Sequence, residues 1–77
     1  MTELMEQLDR AQWVRYDQDY EVAMAWFGGH GVHYYNMRGQ EIALQNVGSF
    51  AENEAPENVV KQTMEEMLRN HNYEDFG

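Results

Sequence analysis

Cysteine is absent from this chain, which removes disulfide scaffolds, thiolate metal sites and cysteine nucleophiles at once. Hydroxyl nucleophiles are scarce as well, limited to Thr2, Ser49 and Thr63 outside the tyrosines. No apolar run approaches the ~18 residues of a transmembrane candidate, and residues 1–12 lack the basic start and apolar centre of a signal peptide. The expected location is therefore the cytoplasm. Positive charge is thin. Five Lys and Arg stand against 14 Asp and Glu, for a net charge of −9. Phosphate contacts need clustered cations, so nucleic acid is not expected as a direct partner, and an anionic membrane surface would repel the chain.

Acidity alone would suggest disorder, but the apolar fraction is 43% and the aromatic fraction 13%, too high for that class. The 77 residues suffice for one small domain, expected to span residues 1–77. A chain of this size buries only ~60% of its unfolded surface, so its core is thin.

The spacing predicts a helix over about residues 2–12. Thr2 is placed to cap it, Glu3 and Glu6 lie near its positive end, and Leu4, Leu8 and Ala11 share a face with Met5 beside them. Trp13 to Tyr16 leaves open a short extra extended piece. Residues 20–27 alternate, with Tyr20, Val22, Met24 and Trp26 on one side, and predict a strand. Gly28-Gly29-His30-Gly31 reads as a hairpin loop, followed by a strand over 32–37. Arg38-Gly39-Gln40 is a turn in which Gly39 supplies a positive φ, and a third strand over 41–47 is expected to point Ile42 and Leu44 inward.

Residues 50–55 read as an acidic linker. Pro56 suits the first position of a helix over about 56–70, whose stripe is Val60, Thr63, Met64, Met67, Leu68 and His71. Residues 72–77 read as a loose tail in which Tyr73 and Phe76 could dock. The expected fold is α+β in the order α-β-β-β-α: a three-stranded antiparallel meander with two helices packed on one face.

Chemical sites are weakly specified. A phosphate loop needs glycines leading into a helix, whereas Gly31 leads into a strand and the P-loop Lys is missing. His30 and His33 could ligate a metal or small ligand only with further donors that the spacing does not supply, so neither metal nor cofactor is expected. Asp17, Asp19 and Glu21 begin like a calcium loop, but Val22 and Gly28 occupy the positions where that loop needs Gly and Glu. On an extended segment these acids would form one solvated carboxylate row. Ser49 has no GxSxG around it, and no enzyme activity is expected.

The acidic surface remains. Glu3, Glu6 and Asp9 repeat every three residues, a rise of ~4.5 Å per step on a helix, against ~3.4 Å per nucleotide along a DNA strand. The residues expected to meet a partner are Asp17, Asp19, Glu21, Glu52, Glu54 and Glu57, with Tyr34, Tyr35 and Phe50 as exposed aromatic anchors.

In size, charge and lack of catalytic machinery, the chain is similar to the small acidic inhibitors that phages and mobile elements use against nucleic-acid-handling enzymes. That class includes anti-restriction, anti-CRISPR and other DNA-mimic proteins, and no sequence motif carries the resemblance. It implies a protein-binding inhibitor that occupies a basic, nucleic-acid-binding surface of its target. The alternative expectation is a homodimeric interaction module joined through strand edges. A metal or ligand binder using His30 and His33 ranks below both.

Overall fold

The computed structural model describes residues 2–47 and 56–70. Its elements are α1 (Thr2–Leu8), β1 (Trp13–Asp17), β2 (Val22–Trp26), β3 (Gly31–Tyr35), β4 (Glu41–Asn46) and α2 (Pro56–Asn70). The α+β class holds, but the sheet is a four-stranded antiparallel meander rather than a three-stranded one. The added strand is β1, which pairs along its whole length with β2, from Trp13 opposite Trp26 to Asp17 opposite Val22.

Alternation along β2 explains the core. Val22, Met24 and Trp26 point to one side, where they pack with Val32, Tyr34 and the α2 residues Val60, Met64 and Met67. Ala23 and Ala25 point to the other side and pack with Leu4, Leu8 and Tyr35. The helices therefore lie on opposite faces of the sheet, which corrects the expectation of one shared face. Small alanines let α1 approach closely, while the larger even-numbered residues fill the space beneath α2. Every β2 residue is buried.

The first helix is shorter than its pattern. It ends at Leu8, and the Ala11 amide donates to the Leu8 carbonyl at 3.1 Å. The Gln12 amide donates to the Trp26 carbonyl at 2.7 Å, so the chain has already joined the sheet. Ala11 still packs against the α1-side cluster, but from the connection rather than from a helical turn.

Two tight loops set the register. Gly28 has φ +96°, and the Trp26 indole N–H donates to the Gly29 carbonyl at 2.8 Å. Between β3 and β4, the Asn36 side-chain oxygen accepts from the amides of Arg38 at 2.9 Å and Gln40 at 3.0 Å. Gly39 there has φ +82°, as its place in the turn predicts. A β-carbon at Gly39 would sit 2.8 Å from the Glu3 carbonyl carbon and the Leu4 nitrogen, so this glycine lets the turn press against the α1 backbone.

The register changes between Tyr34, opposite Ala43, and Tyr35, opposite Glu41, leaving Ile42 as an extra residue in β4. Ile42 and Leu44 are 42% and 59% exposed. Their expected inward orientation is corrected: Leu44 lies opposite His33 on the α1 side, beyond the reach of the short α1. Ala43 and Gln45 take the positions opposite Tyr34 and Val32 on the α2 side.

Candidate protein-binding surface

The expected partner residues separate into distinct environments. Asp17 is buried, and its Oδ1 accepts from the amides of Asp19 at 3.1 Å and Tyr20 at 3.2 Å. It holds the β1–β2 turn together, and the expected solvated row of Asp17, Asp19 and Glu21 does not exist. A turn separates β1 from β2, and Glu21 within it adopts φ +55°. Asp19 and Glu21 are exposed at this turn.

Tyr34 and Tyr35 are core residues rather than exposed anchors. Tyr34 lies in the α2-side cluster, where its hydroxyl donates to Gln45 Oε1 at 2.6 Å. Burial pushes its pKa up to about 12. Tyr35 lies in the α1-side cluster, and burial, then the nearby Glu41 carboxylate, raises its pKa. Glu57 is exposed and pairs with Lys61 at 2.7 Å. Glu52, Glu54, Phe50, Ser49, His71 and the 72–77 tail lie outside the described residues.

Charge is distributed unevenly. Among the described residues of the α2 side, Glu57, Glu65 and Glu66 are balanced by Arg15, Lys61 and Arg69. Glu57 pairs with Lys61, while Arg15 reaches Glu65 at 2.9 Å. Lys61 also lies over the Trp13 ring at 4.1 Å, so its charge is held within the protein surface. On α1 and the following connection, Glu3, Glu6 and Asp9 are exposed, as are Asp19 and Glu21 on the β1–β2 turn. None of these five acids has an ion pair among the described residues. The local cations are Arg10 and, on the β3–β4 turn, Arg38.

Between α1 and the β1–β2 turn lies a groove of about 390 Å³, lined by Leu4, Met5, Tyr16, Gln18, Glu21 and Met37, with Asp17 at its inner wall. Met5 is 64% exposed and Tyr16 48%. A shallower hollow continues past Met5 along Glu6, Asp9 and Arg10. The sequence pattern puts Met5 beside the helix stripe but does not reveal the exposure of Tyr16 or the place of half-buried Met37 in the groove wall. The available signal was alternation along β1, which puts Tyr16 on the same sheet face as Ala23, where α1 packs.

His33 Nδ1 contacts the Glu41 carboxylate, and Phe27 meets the imidazole edge-on at a centroid distance of 5.0 Å. Such a dyad orients an imidazole but needs a nucleophile or further ligands to do chemistry. Thr63 lies on α2 across the sheet, where its hydroxyl donates to the Val59 carbonyl at 3.0 Å. Among the described residues, no group of three or more His, Asp and Glu side chains converges on a metal-sized site. No helix among them is long and apolar enough to cross a membrane. No protein-family model, curated protein or solved structure matches the chain.

Proposed function

We propose that this chain is a small protein-binding inhibitor that fills a basic, nucleic-acid-binding surface of a partner protein. It acts in the cytoplasm by occupancy, without turnover, in the manner of the DNA-mimic and anti-defence proteins it resembles in class. The observation that supports this reading is the segregation of charge among the described residues: the acids without ion pairs are Glu3, Glu6 and Asp9 on α1 and its connection and Asp19 and Glu21 on the β1–β2 turn, while the described acids of α2 are balanced by Arg15, Lys61 and Arg69. A one-sided field steers encounter with a basic surface and orients the approach.

The test is competition. Immobilised protein is loaded with host lysate and then washed with duplex DNA or with RNA at constant ionic strength. Mimicry predicts that a nucleic-acid-binding protein is released by one of these competitors. It also predicts that this protein is not retained by a variant carrying Glu6→Lys, Asp9→Lys, Asp19→Lys and Glu21→Lys. Equal retention by both forms, with no release by either competitor, refutes the reading.

One observation favours a second reading. β4 is an edge strand that carries exposed Ile42 and Leu44, and it has no Lys or Pro to discourage pairing. A homodimer could form by antiparallel pairing of β4 with its copy. Sedimentation equilibrium at low and high salt tests this: a dimer that persists at high salt and is lost in Leu44→Lys supports it, and a monomer throughout excludes it.

A further inference from the structure

The groove beside α1 leaves large apolar side chains open next to acids that have no ion pair among the described residues. Met5 and Tyr16 stand 64% and 48% exposed, with Leu4 and Met37 completing the walls. At about 390 Å³ the groove falls at the small end of ligand pockets, which span ~300–1,000 Å³. Its walls suit protein recognition. Methionine adapts to irregular apolar partners, and tyrosine offers a rigid face with a polar tip.

Charge defines the occupant. Glu21 lines the groove itself and Asp19 lies on the same turn, while Met5 leads into the hollow lined by Glu6, Asp9 and Arg10, where the two acids outnumber the single cation. A segment lying along this path therefore has carboxylates at both ends of an apolar seat. The chain's own aromatic tail is a poor occupant, because Tyr73 and Phe76 flank Glu74 and Asp75. A second copy brings a net charge of −9 against −9. Resting on the reading of the α1 side as the partner-facing side, we infer that the groove receives a large apolar side chain from a partner segment flanked by Lys or Arg. The acids steer the segment, and the groove supplies the desolvated anchor that holds it.

The experiment is a titration of the full chain, carrying ¹³C-methyl methionine, followed by NMR. The probe is the acetylated, amidated peptide Lys-Arg-Leu-Leu-Arg-Lys. One control replaces both Leu by Ser, and another replaces every basic residue by Glu. The Met5 and Met37 methyl signals are expected to shift saturably with the probe, while the buried Met24, Met64 and Met67 signals stay fixed and report an intact fold.

The serine control is expected to bind about tenfold more weakly or worse, the loss that follows from forgoing one buried apolar side chain. The acidic control should not bind. Tyr16→Ser, alone and combined with Met5→Ser, leaves the charge unchanged and should weaken the probe by a similar factor, read at Met37. Equal binding of the leucine and serine peptides, or of wild type and the Ser variants, overturns the groove while leaving the charge-based function standing. Absence of binding by both basic peptides overturns the groove and counts against the function as well.

Discussion

Gly39→Ala is the single substitution expected to damage this domain most for its size. The glycine sits at φ +82°, where an L-residue costs ~1–2 kcal/mol. Its new β-carbon would also lie 2.8 Å from the Glu3 carbonyl carbon and the Leu4 nitrogen, and 2.9 Å from the Glu3 oxygen. These are backbone atoms of α1 and cannot swing aside as a side chain would. Relief requires moving the turn or the helix, and moving the helix withdraws Leu4 and Leu8 from Ala23, Ala25 and Tyr35. Each fully buried Leu contributes ~1.5–3 kcal/mol, so even partial withdrawal brings the expected loss to about 3 kcal/mol. For a domain of this length that corresponds to a fall in Tm of roughly 12–24 °C. Gly29→Ala is the control, because nothing lies within 4 Å of its β-carbon position and its φ is ordinary. Gly28→Ala should fall between them: φ is +96°, but the obstructing atom is the side-chain Nε2 of Gln12. Thermal melts followed by circular dichroism rank the three. Equal Tm values for Gly39→Ala and Gly29→Ala would refute the contact between the β3–β4 turn and α1.

Alkaline titration gives an independent check on the sheet. Tyr34 has its pKa pushed up to about 12, above the ordinary value of 10.0, so the native state holds this proton more tightly than the unfolded chain. Its contribution is complete below pH ~10 and is lost as pH rises toward 12, at about 2–3 kcal/mol in total. Tyr34→Phe should flatten that loss in urea melts between pH 9 and 12, although it leaves Gln45 Oε1 without its donor at a cost of about 1 kcal/mol. Met64→Ala empties the centre of the α2-side core and should cost ~2–5 kcal/mol in the same melts. Asp17→Ala removes the Oδ1 acceptor of the Asp19 and Tyr20 amides and should cost about 1–3 kcal/mol, whereas Asp19→Ala should be nearly neutral.

The α2 stripe of Val60, Met64 and Met67 was legible because period 3.6 and a proline start coincide there. The β3–β4 turn was legible through Gly39. The placement of α1 was harder to read. The alternation of Val22, Met24 and Trp26 advertises one apolar face, yet Ala23 and Ala25 make the reverse face apolar too, and that second signal means cover on both sides. Small residues carry little weight in a hydrophobicity pattern, so the strand reads as having one large-residue face with Ala23 and Ala25 merely on its other side. Ile42 and Leu44 were misplaced because period alone cannot reveal a bulge or the seven-residue length of the covering helix. The proposed partner surface is legible as a net charge but not as a location. In sequence Asp17 is indistinguishable from Asp19 and Glu21, and only its turn hydrogen bonds set it apart; Tyr34 and Tyr35 read as exposed anchors because aromatics suit cores and interfaces alike.

Binding directed by the α1 side, as proposed, is distinguishable from binding by acidity in general. Two triple reversals change the net charge by the same amount. One carries Glu6→Lys, Asp19→Lys and Glu21→Lys on the α1 side; the other carries Glu57→Lys, Glu65→Lys and Glu66→Lys on α2. Association rates with the protein released by nucleic-acid competition are measured from low salt to physiological ionic strength, where the Debye length is ~8 Å. The α1-side reversal should slow association by about tenfold or more at low salt, with the difference shrinking as salt rises, because exposed charges act mainly on encounter. The α2-side reversal should have a much smaller effect. Equal slowing by both reversals, or by neither, would contradict the account.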